Sequence, residues 1–335
     1  MFDESVQKSA QYIKMWGILQ PFLPFLEIDK VRKDSIIAIF QYKFMAILLI
    51  TSSVLITSRI IFGEPIVCWG SPLSISESVT NSFCYMSGTS TMLNHVKREH
   101  IYYQFMPILL VIMSLGYYIP RGFWVLSENG LFVEILQDLQ SNILDAEKKG
   151  EQLKKLSKFV INKKGEHFKL FGCHVLSIIL YTCNIIAQFF NINLILSGDF
   201  LSYGVLRNLN EVFPKVTDCD ITHIGYTGHE DLSSLTCFLP INTFNDKLFL
   251  VIWYLMVVSG ILLLFNLLYT FVYIICPPFR YFILRQKVGK KVTYDQVQKA
   301  VGGLGTCSDV SECFVLQVIS QNLSEETASE LFNMI

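Results

Sequence analysis

Ile101–Pro120 reads IYYQFMPILLVIMSLGYYIP, twenty residues without a charge. At about 1.5 Å of rise per residue, a helix of that length crosses about 30 Å of hydrocarbon. The stretch therefore predicts a membrane span. Arg121, Phe123 and Trp124 close it with the basic and aromatic side chains that settle at a membrane–water boundary. Pro107 lies inside it, and membrane helices tolerate proline where neighbouring groups re-satisfy the freed backbone, so this helix is expected to pack on others.

Working outward, three more segments are long and apolar enough to cross. We read spans at 36–62, 101–126, 170–198 and 248–279. They separate an N-terminal segment (1–35), connections at 63–100, 127–169 and 199–247, and a tail (280–335) expected to be helical. The 335 residues are 52% hydrophobic and only 16% charged, with a mean hydropathy of +0.43. That is too apolar for an ordinary soluble domain, and a net charge of −1 gives no sign of nucleic acid. Pro21 and Pro24 break the apolar piece after residue 14, so it lacks a signal peptide's core and the N-terminus is expected to be retained. The expected fold is an all-α membrane protein, a four-transmembrane-helix bundle.

Charge orients it. Lys and Arg number five in 1–35, eight in 127–169 and six in 280–335, against two in 63–100 and three in 199–247. The positive-inside bias then sets both termini and the central connection in the cytoplasm, with 63–100 and 199–247 outside a plasma membrane. Of nine cysteines, Cys68 and Cys84 fall in the first outward connection and Cys219 and Cys237 in the second. Disulfides persist in that compartment, and four cysteines allow three connectivities between which spacing cannot choose. Cys173, Cys183 and Cys276 read as packing residues within spans, and Cys307 and Cys313 as reduced thiols.

No cluster of His, Asp, Glu or Cys has catalytic or metal-ligand spacing, so neither an enzyme nor a metal or cofactor site is expected. VGGLGT at 301–306 lacks the Lys-Ser or Lys-Thr of a phosphate loop and reads as a turn. A helix is expected over Val310–Ser320, and a second from Ser324, where SEET resembles a capping box. In the third span His174, Ser177, Tyr181, Asn184, Gln188 and Asn191 recur at intervals of three and four and share one helical face. Such a face avoids lipid; it serves either as interhelical hydrogen-bonding glue, the favoured reading, or as the wall of an aqueous conduit. Lys43 either snorkels to headgroups or faces water in a pore. Phe2–Met15 fits a short amphipathic helix with Asp3 and Glu4 at its start, lying on the inner membrane surface or folded into a pore.

Set side by side, these pieces resemble the innexins, the invertebrate gap-junction proteins related to pannexins, over almost the whole length. Thr57-Ser58-Arg59 with Gly63 through Trp69 resembles the family's S-R-x-x-G-x-P-I-x-C pattern. Ser82 through Tyr85 is similar to its Y-C-W element, and Tyr102-Tyr103-Gln104-Phe105 to its YYQW signature. Asn184 and Gln188, then Gly198, Phe200, Tyr203 and Gly204, match the third-span pattern. Most specific is Phe213-Pro214 through Cys219, Gly225, Gly228, Cys237 and Leu239-Pro240-Ile241-Asn242, which resembles the second outer loop.

The resemblance implies a subunit of a large-pore gap-junction channel or hemichannel, a ring of eight copies, alone or with related subunits, that docks with a ring in an apposed cell. It implies nested bridges, Cys68 to Cys237 and Cys84 to Cys219, and an N-terminal funnel in the pore mouth that includes Phe2 and Asp3. A four-span adhesion or scaffold protein is the rival reading. Membrane lipids are the other expected partners, with no nucleic acid.

Overall fold

The computed structural model describes residues 31–70, 76–93, 96–136, 146–162, 167–196, 200–206, 212–224, 229–288, 296–297, 301 and 307–335. Phe2 and Asp3 lie outside them. Among the described residues, four helices are long and apolar enough to cross a membrane: α1 (Ile36–Phe62), α3 (Tyr102–Glu128), α6 (His167–Ile195) and α8 (Pro240–Ile275). Between α1 and α3 come β1 (Val67–Trp69), α2 (Glu77–Ser87), β2 (Thr89–Leu93) and β3 (Val96–His100). Between α3 and α6 come α4 (Leu131–Leu136) and α5 (Ala146–Asn162), and between α6 and α8 come α7 (Tyr203–Leu206), β4 (Val216–Ile224) and β5 (Glu230–Phe238). The tail holds α9 (Pro277–Val288), α10 (Cys307–Asn322) and α11 (Glu325–Met334).

The chain forms two compact units. The first takes Phe40–Gly122 and Ser177–Leu267. In it α1 packs on α3. The buried residues Ala46, Leu49, Ser53 and Ile56 of α1 repeat the spacing of Tyr103, Met106, Leu110 and Met113 of α3. Both series step by three and four, which keeps one seam of each helix against its neighbour. Ser53 Oγ donates to the carbonyl of Pro107 at 2.8 Å, an interhelical bond between α1 and α3. A π-helical turn, Phe40–Met45, interrupts α1 and buries Gln41, Tyr42 and Met45. Gln41 and Ser259 of α8 bond reciprocally: Ser259 Oγ donates to Gln41 Oε1 at 2.8 Å, and Gln41 Nε2 to the Ser259 carbonyl at 3.3 Å.

An antiparallel five-stranded sheet of order β1-β5-β4-β2-β3 belongs to the same unit. The sequence reading, an all-α bundle, has no strands in these connections. On β4 the inward positions are Thr217, Cys219 and Ile221, so two of three hidden side chains are not aliphatic.

The second unit takes Met1–Ile39, Phe123–Leu176 and Leu268–Ile335. Its core includes Phe132, Leu153, Leu156, Val160, Phe171, Leu284, Leu316 and Leu331. On α5 the apolar positions 153, 156 and 160 turn inward while Lys154, Lys155 and Lys158 stay exposed, the division a 3.6-residue period produces. After α8 ends at Ile275, the buried Arg280 donates to the carbonyls of Tyr273 and Ile274 at 2.9 and 2.8 Å. A guanidinium thus satisfies the orphan acceptors of a helix C-terminus where Pro277 and Pro278 follow. Ser324 caps α11, its Oγ accepting from the Thr327 amide at 3.3 Å.

Candidate functional site: the disulfide-locked sheet and the spans beneath it

The two connections that carry paired cysteines are fastened to each other. Cys68 on β1 bonds to Cys237, its register partner on β5, and Cys84 on α2 bonds to Cys219 on β4. This is the nested pairing that the resemblance implies. The sulfurs of Cys68, Cys84 and Cys237 all fall within 4.8 Å of one another, but each is in a disulfide, which leaves no thiolate for a metal.

The residues that carry the family resemblance have identifiable work here. Gln104 Nε2 donates to the carbonyls of Tyr85 and Met86 at 2.6 and 3.1 Å, capping the C-terminal end of α2 from the first turn of α3. Tyr102 donates its hydroxyl to the Val212 carbonyl at 3.1 Å and accepts from Asn242 Nδ2, also at 3.1 Å. The same amide nitrogen donates to the Pro214 carbonyl at 2.8 Å. Phe213 meets Tyr102 and Tyr203 edge-on, and Tyr203 donates to Asp246 Oδ1 at 2.6 Å. Burial, together with the hydrogen bond and charge of Asp246, raises the Tyr203 hydroxyl well above the usual phenol range. These contacts hold the strand-bearing connections onto the ends of α3 and α8. Beside them, burial and then the charge of Arg98 push His100 down to about 4, and its Nε2 lies 2.7 Å from Thr91 Oγ1. A neutral imidazole there is a packing and hydrogen-bonding residue.

The polar stripe of α6 divides. His174 packs its ring on Trp124 and Phe314, at centroid distances of 5.0 and 4.6 Å. Ser177 and Tyr181 are buried. Gln188 Nε2 donates to the Met113 carbonyl of α3 at 3.0 Å and lies 3.3 Å from Asn184 Oδ1. A Cβ at Gly116 would stand 3.0 Å from Asn184 Oδ1 and 3.4 Å from Gln188 Nε2, so the glycine opens the room these carboxamides occupy. Asn191 is exposed instead. Asn193, which the spacing left out, accepts from the amides of Phe200 and Leu201, both at 3.1 Å. Lys43 is half-buried in the π-helical turn. Cys183 is exposed on α6, and burial pushes the Cys313 thiol up to about 12, which makes it inert.

Gln188 offers a direct test of the stripe. Gln188→Leu is expected to lower the melting temperature of the detergent-purified protein by only about 1 °C, since an interhelical hydrogen bond in a membrane is worth about 0.6 kcal/mol. Unitary conductance should stay unchanged; a changed conductance would mark this face as a conduit wall.

Four apolar spans bearing an extramembrane sheet, with both cysteine pairs bridged between the connections, define a class of four-span membrane proteins with disulfide-locked loops. A family model, Innexin, matches residues 34–335. The chain is 28% identical to Innexin inx2 of Drosophila melanogaster, over 82% of this chain and 83% of that protein. It is 30% identical to Innexin-16 of Caenorhabditis elegans over 71% of each, and 23% identical to Innexin shaking-B of Drosophila melanogaster over 92% of this chain and 91% of that one. The chain belongs to the innexin family.

Proposed function

We infer that this chain is a subunit of a large-pore gap-junction channel or hemichannel, passing ions and small molecules between cells or across the plasma membrane. Family membership carries the reading, and it disfavours the adhesion alternative. The arrangement that supports it is the sheet with α2, where two bridges, between cysteines 169 and 135 residues apart, join the two connections. A docking face gives up little conformational freedom on contact when it is already cross-linked.

The subunits assemble as a ring of eight, and two rings dock through the sheet-bearing ends. Residues 63–100 and 199–247 face outward, where disulfides persist, while the N-terminus, 127–169 and the tail are cytoplasmic. Only 28–33% of the most apolar window of each span is buried within one protomer, which leaves broad faces for lipid and sibling subunits. Dye uptake by single cells and junctional conductance between paired cells test the channel. A projection image of purified particles tests the ring, and a lone protomer without a central opening would sink it.

The N-terminal segment, including Phe2 and Asp3, forms the funnel of the pore mouth, and Lys43 faces the water of the pore. Deleting Phe2–Tyr12 is expected to change unitary conductance at least twofold and to alter the largest permeant dye. Identical conductance and size cut-off would rule out the funnel.

A further inference from the structure

We propose that a cavity at the sheet-bearing ends of α1 and α8 binds the headgroup of a zwitterionic phospholipid, its phosphate held by Arg59 and Lys247 and its ammonium by Glu64. The site requires the membrane spans alone and is independent of the pore.

The cavity measures about 430 Å³, inside the roughly 300–1,000 Å³ that ligand pockets occupy. Its walls are the last turn of α1, the Gly63–Pro65 link and the first two turns of α8. The charge pattern fixes its depth. Arg59 is the first charged residue after the uncharged run 44–58, and Lys247 is the last before the uncharged run 248–279. Two cations that line one cavity thus stand at one edge of the hydrocarbon, the level of phospholipid phosphates. In the same turn of α1, Ile61 and Phe62 are largely exposed, an apolar margin for acyl chains.

The side chains are free to act on a ligand. The Arg59 guanidinium lies 5.6 Å from the centre of the Phe244 ring. An arginine stacked on a ring keeps the N–H donors of its edge, the fork that matches two phosphate oxygens. Among the described residues, the side chains of Arg59, Lys247 and Glu64 form no ion pair. Two cations and one carboxylate therefore share a cavity without neutralising one another. A phosphate followed by an ammonium is the complement of that set, whereas a lone anion leaves Glu64 opposed.

The cavity also marks a joint. The chain leaves α1 through Gly63, whose amide donates to the Arg59 carbonyl at 3.1 Å and where a Cβ would stand 2.7 Å from that oxygen. Strand β1 starts at Val67, two residues past Pro65, and β5 ends at Phe238, two residues before Pro240. These two strands pair and carry the Cys68–Cys237 bridge. A headgroup seated here braces both places where the bridged strands run into the spans, and so couples the bilayer's composition to the sheet.

The test is photolabelling of the purified full-length protein in detergent with a dioleoyl phosphatidylcholine that carries a diazirine in its headgroup, followed by peptide mapping. Label is expected on 59–65 and 240–247. It should fall about tenfold in Arg59→Gln/Lys247→Gln, as loss of charge-assisted hydrogen bonds to phosphate predicts. Arg59→Lys/Lys247→Arg, which keeps both charges, should retain most of it. Unlabelled dioleoyl phosphatidylcholine should displace the label, while inorganic phosphate and dioleoylglycerol should not. Displacement by inorganic phosphate overturns the lipid as the source, and displacement by dioleoylglycerol overturns the headgroup as the recognised part. Glu64→Gln is expected to turn the preference toward phosphatidylglycerol; a wild-type protein that already prefers phosphatidylglycerol overturns the pairing of the ammonium with Glu64. Equal labelling of the wild type and Arg59→Gln/Lys247→Gln, or no label on the two segments, overturns the site. If the neutral double variant cannot be purified, the mapping and competition on the wild type decide by the same outcomes.

Discussion

Cys237→Ser is expected to cut junctional coupling at least tenfold, and the double variant Cys68→Ser/Cys237→Ser is expected to retain more correctly assembled protein than the single one. The outer bridge spans 169 residues and the inner one 135. With the inner bridge in place, however, the outer one closes only the two short arms from 68 to 84 and from 219 to 237. Its entropic contribution is then about 4 kcal/mol, below the nearly 5 of a loop longer than a hundred residues. The larger effect is chemical. The single substitution frees the Cys68 thiol within 4.8 Å of Cys84, itself bonded to Cys219. Thiolate attack on that bridge yields a Cys68–Cys84 crosslink and strands Cys219. Removing both partners removes the attacking group. Paired-cell conductance, with disulfide mapping by mass spectrometry under non-reducing conditions, checks both statements. Unchanged coupling in Cys237→Ser would falsify the structural role of the outer bridge.

Gly204→Ala carries the second large effect. A Cβ at Gly204 would overlap the six-membered ring of Trp253, which is itself only 7% exposed. The Gly204 carbonyl is held as well, accepting from Tyr254 Oη at 3.1 Å. Neither the backbone nor the indole has an easy retreat, since Tyr203 next door is anchored to Asp246. Overpacking of this kind costs about 1–3 kcal/mol, and more where the neighbours cannot yield. The variant is expected to lose most of its surface population, read by surface biotinylation, and to melt several degrees lower in detergent. Wild-type surface levels would mean that Trp253 has room to swing away.

The spans were legible because a long uncharged run has few alternatives in a chain this apolar. The sheet was not. Its strands hide Thr217 and Cys219 where a readable strand would place valine or isoleucine, so the alternation that marks a half-buried strand is chemically disguised. On α6 the polar spacing led to Gln188, which bonds to α3, and to Asn191, which a single protomer leaves exposed, but it passed over Asn193, whose partners lie in the chain beyond the helix. The hydrogen bonds between the Arg32 backbone and Asn322 and the Lys33–Glu128 ion pair were invisible for a different reason. Their partners stand 290 and 95 positions apart, and no local pattern announces such a meeting.

The exposed carboxamide of Asn191 is a polar group on an apolar span, four residues before α6 ends at Ile195. An amide left against acyl chains is costly, and contact with water or with a polar group of another subunit removes that penalty.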